Sequence, residues 1–88
     1  MKYIALERLG FKEDAKEITE ISTFSGINFV TVKSQNKTLT LFFSSDRCAE
    51  IAYERLKDFL EFGKDGQTLS LEESFGLEKA ELEAEVCF

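Results

Sequence analysis

Between Asp46 and Phe62 apolar side chains recur at steps of three and four, which predicts a helix over those residues. Cys48, Ile51, Ala52, Leu56, Phe59 and Leu60 form its inner stripe, and Glu50, Glu54, Lys57, Asp58 and Glu61 fill the opposite side. Ser45 is placed to accept a hydrogen bond from the first free amides, Asp46 suits the positive end of the dipole, and Gly63 closes the last turn in a left-handed conformation. Upstream the period changes to two. Ile27–Lys33 and Thr38–Phe43 are rich in β-branched and aromatic residues and read as the arms of a hairpin. Ser34-Gln35-Asn36-Lys37 is its turn, in which Asn36 tolerates a positive φ. In the second arm Leu39, Leu41 and Phe43 point one way, Thr38, Thr40 and Phe42 the other. Phe42 therefore stands on the wrong face for a core residue, and is expected either to be covered by a terminal segment or to belong to an intermolecular surface.

The flanking segments carry weaker patterns. Lys2–Leu9 reads as a strand, and Lys12–Ile21 as a helix with Ala15, Ile18 and Ile21 inside. Thr23–Gly26 turns the chain into the hairpin, and Gln67–Leu71 reads as a short strand. From Ala80 to Phe88 apolar positions alternate with acidic ones or, at 87, with cysteine, as in a half-buried strand, although Ala, Leu and Glu favour helix. The helical alternative splits Leu82 and Val86 from Leu77, Ala80, Ala84 and Cys87, and makes Glu81–Glu85 a like-charge pair costing about 0.2–0.5 kcal/mol. The alternation favours a strand. Strand, helix, strand, strand, helix, strand is the order of a ferredoxin-like α+β domain of βαββαβ type, with an antiparallel sheet covered on one face by two helices and an extra acidic C-terminal strand or helix. One domain over residues 1–88 is the expectation, because a chain this short hides only roughly 60% of its unfolded surface and supports a single core.

Charge divides this domain. Ten basic and ten acidic side chains cancel within residues 1–64, so the whole net charge of −6 lies in residues 65–88. That acidic segment serves either as a solvated face or as a surface for a basic partner. It also argues against direct nucleic-acid binding, which rests on Lys and Arg displacing counterions. With no histidine among 88 residues, the commonest general base, the usual metal imidazole and the Ser-His and Cys-His nucleophile pairs are missing. Carboxylates abound, but general acid–base work needs a desolvated cleft to separate two acid strengths, and the acidic segment reads as exposed. No calcium-loop spacing occurs, Asp65-Gly66 is a turn, and neither glycine-rich phosphate motif is present. No enzyme, metal or cofactor is implied.

Cys48 and Cys87 form no C-x-x-C pair. The first lies on the predicted apolar stripe and is expected to be buried, the second lies at an exposed end, and no secretory leader is visible, so a reduced, cytoplasmic protein is expected. No apolar run is long enough to span a membrane. What remains is recognition of a protein with a basic, nucleic-acid-handling surface, by an inhibitor or regulator that imitates phosphate charge. Glu78, Glu81, Glu83 and Glu85 are the candidate charge row, and Phe42, Phe75 and Phe88 the candidate apolar anchors.

Leu9-Gly10-Phe11, Ser25-Gly26-Ile27-Asn28-Phe29, the hairpin and the helix at 46–62 together resemble the ACT domain, a ferredoxin-like regulatory module, over about residues 3–62. That resemblance implies amino-acid sensing at an interface between paired domains, with Gly10, Phe11, Gly26, Ile27 and Asn28 lining the pocket. The loop Gly10-Phe11-Lys12-Glu13 lacks the family's Pro-Gly or Asp-before-Gly. A structural homodimer is the third reading.

Overall fold

Strand-forming sequence dominates the chain, and the computed structural model, which describes residues 1–84, contains one long helix laid against it. The order is β1 (Tyr3–Leu6), β2 (Phe11–Asp14), β3 (Ile18–Ser22), β4 (Phe29–Ser34), β5 (Lys37–Phe42), α1 (Asp46–Phe62), β6 (Thr68–Ser70), α2 (Leu71–Ser74) and β7 (Lys79–Ala84). Two sheets result. β2-β1-β6 is three-stranded, with β1 antiparallel to β2 and parallel to β6; β3-β4-β5-β7 is four-stranded and antiparallel throughout. A single core joins Ile4, Leu6 and Phe11 of the first sheet to Val30, Val32, Leu39 and Leu41 of the second and to Ala49, Ala52 and Leu56 of α1, with Leu71 and Phe75 completing it. Ile4, Ala5 and Leu6 are all buried, so β1 is covered on both faces.

The α+β class holds, and the ferredoxin-like order does not, since the seven described strands exceed a βαββαβ unit. Two departures account for this. First, Lys12–Ile21 is not a helix. Phe11–Asp14 pairs with β1, a 3-10 turn at Ala15–Glu17 starts where the Asp14 carboxylate accepts from the Lys16 amide at 3.0 Å, and Ile18–Ser22 pairs with β4. The register shifts between Ile18 and Glu20, and this bulge brings Ile18 and Ile21, three positions apart, onto the core side. A three-residue apolar step, which reads as a helix turn, is here the mark of a bulged strand. Second, the predicted first strand stops at Leu6, where Glu7–Leu9 forms a 3-10 turn that Gly10 closes at φ 69°. Only α1 is a long helix, so the expected pair of covering helices is absent among the described residues.

α1 has the predicted bounds, and Ser45 Oγ accepts from the Cys48 amide at 3.2 Å, as a cap should. Its inner stripe is rotated. Ala49, Ala52 and Leu56 are buried, with Tyr53, Phe59 and Leu60 packed beside them, while Cys48 and Ile51 are exposed. Gly63 is not left-handed, having φ −61° and ψ 144°. Glycine is required for space instead: a Cβ there would stand 2.4 Å from the Phe59 carbonyl oxygen, which accepts the Gly63 amide at 2.8 Å. Asn36 does not adopt a positive φ either; among the described residues only Gly10, Gly26 and Gly66 do. The hairpin register, with Phe29 opposite Phe42 and Lys33 opposite Thr38, has the predicted facing of Leu39 and Leu41 inward. β7 adds to β5 as the sheet's last strand, which settles Lys79–Ala84 as strand. Glu85, Val86, Cys87 and Phe88 lie outside the described residues.

Candidate functional site

Alternation fixes what the four-stranded sheet shows on the face away from α1. Because paired residues share a face, three rows cross it: Glu20, Lys33, Thr38 and Glu83; Ser22, Thr31, Thr40 and Glu81; and Phe29, Phe42 and Lys79. None of these side chains is fully buried. The face is thus threonine in the middle, aromatic at one end and acidic along the β7 edge.

The aromatic end is a small cluster. Phe29 and Phe42 have ring centroids 5.7 Å apart and tilted planes, and the Lys79 ammonium sits 5.7 Å from the Phe42 ring. The same ammonium meets the Glu81 carboxylate at 2.8 Å. β7 therefore lies beside Phe42 rather than over it, and the ring stays half-buried and accessible. At the opposite corner Lys33 pairs with Glu20 at 3.5 Å. Glu83 has no ion pair among the described residues, and Glu78, whose amide bonds the Phe42 carbonyl at 3.0 Å, is exposed at the start of the strand.

The acidic segment is not one surface. Asp65 meets the Met1 amino group, and Glu72 accepts from the Arg8 amide at 2.9 Å with the Arg8 Nε at 3.8 Å, so both are spent on holding the first sheet's neighbours. Glu78, Glu81 and Glu83 alone gather at the β7 edge, and Glu85 and Phe88 lie outside the described residues. Phe75 is not an available anchor. It is 9% exposed and stands edge-on to Phe43, with centroids 6.3 Å apart. The sequence pattern missed Phe29, although counting back from a two-residue turn at Gln35-Asn36 places it opposite Phe42.

The five residues of the ligand-binding alternative are scattered in role. Phe11 is fully buried in the core, Gly10 and Gly26 are exposed turn glycines with positive φ, and the Asn28 side-chain amide donates to the Phe43 carbonyl at 3.1 Å. None of the five lines a groove of about 500 Å³ between the Thr23–Ser25 turn and the outer side of α1. Phe24 and Ile51 are its apolar walls, and Arg47, Glu50, Glu54 and Arg55 ring it. Both apolar walls are exposed; the sequence pattern assigns Ile51 to the inner stripe of the helix and Phe24 only to a turn.

Cys48 stands at the third position of α1, exposed instead of buried. Hydrogen bonding to Ser45 and Ser44 holds its thiol below the ordinary range, against desolvation and with a smaller contribution from the Arg47 charge. No cluster of three metal-binding side chains occurs among the described residues, and no described helix is long and apolar enough to cross a membrane. No protein family, curated protein or solved structure matches the chain.

Proposed function

We propose that this protein is a non-enzymatic binding module, an inhibitor or regulator that docks the outer face and β7 edge of its four-stranded sheet on the basic surface of a nucleic-acid-handling protein. The observation that carries the reading is the placement of Glu81 and Glu83 on one face of an edge strand, two residues apart and continuous with the half-buried Phe29–Phe42 cluster. Charge on the edge steers a basic partner into place, and the aromatic cluster supplies apolar area that water-exposed carboxylates lack. Lys79 fits the same role. Its ammonium stands 5.7 Å from the centre of the Phe42 ring and also holds Glu81, so the carboxylate is tied to the aromatic cluster.

The test is partner binding by Glu81→Gln/Glu83→Gln and, separately, Phe42→Ala. The carboxylate pair contributes about 1–2 kcal/mol at exposed sites, so the double variant should weaken binding roughly 5–30-fold, mostly through association rate. Raising salt should weaken the wild type more than that variant. Unchanged affinity in both variants would remove the sheet face from the interface.

A further inference from the structure

Along its exposed flank α1 carries a seam that Ser74–Gly76 borders at Ile51 and Arg55 and that no described element crosses. Ile51, Arg55, Asp58 and Phe62 stand at i, i+4, i+7 and i+11, the spacing of alternating a and d positions in a coiled coil, and all four are exposed, Ile51 at 46% and Phe62 at 73%. Arg55 and Asp58 lie one turn apart with opposite charge, yet neither forms an ion pair among the described residues; Arg55 makes only a 3.5 Å bond to the Ser74 carbonyl. An apolar, basic, acidic, apolar sequence is complementary to itself when reversed.

We infer that the outer face of α1 is a homodimer interface, in which two copies of this helix pack antiparallel about a two-fold axis lying between Leu56 and Lys57. That axis places Ile51 against the partner copy's Phe62 and Arg55 against its Asp58, then repeats both contacts by symmetry. Four layers result, each joining an a position to a d position, as antiparallel helices require. The separation fits: Ile51 and Phe62 lie about 16 Å apart along the helix, so the incoming Phe62 ring arrives beside Ile51 at the groove whose other apolar wall is Phe24. One feature opposes association. Glu54 and Glu61 flank the seam on one side, and Glu54 of each copy faces Glu61 of the other, which keeps the dimer weak and reversible. The seam is a flank of α1 that stays exposed, and α1 packs on the inner face of the sheet, so the interface does not use the proposed partner face and leaves two acidic β7 edges free in one assembly.

Sedimentation velocity from micromolar to millimolar concentration tests this. The wild type should pass from monomer to dimer across that range. Phe62→Ala should weaken dimerisation at least about tenfold, because the substitution is made twice per interface. Arg55→Asp and Asp58→Arg should each weaken it by setting like charges together, and the exchange Arg55→Asp/Asp58→Arg should restore it. All four side chains are exposed, and far-UV circular dichroism checks that each variant folds. A wild type that stays monomeric throughout, or a dimer indifferent to Phe62→Ala, would overturn the inference. So would a charge exchange that fails to recover what its single changes lose.

Discussion

Replacing Phe75 by Ala separates a core role from an interface role at one position. The ring is 9% exposed and meets Phe43 edge-on at 6.3 Å, so truncation removes both its buried area and an aromatic pair. A buried Phe→Ala change costs about 3–5 kcal/mol, of which the aromatic pair accounts for roughly 0.5–1.5. The whole domain, at 88 residues, is expected to hold about 4–13 kcal/mol. The loss is thus a large share of the total, and corresponds to a fall in Tm of about 15–30 °C. Urea unfolding followed by circular dichroism measures it, with Phe24→Ala as the control. Phe24 is 63% exposed, and its removal should change stability by less than about 0.5 kcal/mol. If Phe75→Ala cost under about 1 kcal/mol, the packing of α2 and the turn before β7 onto the core would be wrong.

Gly63→Ala should destabilise the domain by about 1–3 kcal/mol in the same experiment, because the new Cβ would press on the Phe59 carbonyl oxygen at 2.4 Å, although φ is −61°. Ser45→Ala removes the α1 cap and should cost about 1 kcal/mol. The same change should slow alkylation of Cys48 near neutral pH, since Ser45 is the largest influence holding that thiol low. In a Cys87→Ser background, the alkylation rate of Cys48 should rise with pH through a midpoint below that of an unperturbed thiol, because a lowered pKa exposes thiolate earlier. A midpoint at or above the ordinary value would contradict the hydrogen bonding drawn around it.

What the chain revealed in advance was local. The β4–β5 hairpin and α1 were legible because each keeps one period along its length, and α1 carries its cap in the adjoining Ser45. The segment 11–21 was not, because its apolar spacing is that of a helix while its pairing is that of two strands. A bulge between Ile18 and Glu20 sets Ile18 and Ile21 on one side, and strand partners distant in sequence decide the rest. The rotation of α1 was hidden for a related reason. Small Ala49 and Ala52 let the helix approach the sheet, whereas hydrophobicity alone favours Cys48 and Ile51. At the candidate site, Glu81, Glu83 and Phe42 followed from alternation, because β7 and β5 are regular. Phe75 did not, since the irregular turn before β7 folds it inward.

Docking of a basic protein on the β7 edge and the Phe29–Phe42 cluster remains the proposal that binding experiments decide. Its most direct measurement is the affinity of one purified partner, identified by capture from the native cell, for the wild type, for Glu81→Gln/Glu83→Gln and for Phe42→Ala, at low and high salt. Both variants should bind more weakly than the wild type, and the carboxylate variant should show the smaller salt dependence. Equal affinity for all three, with one common salt dependence, would contradict it.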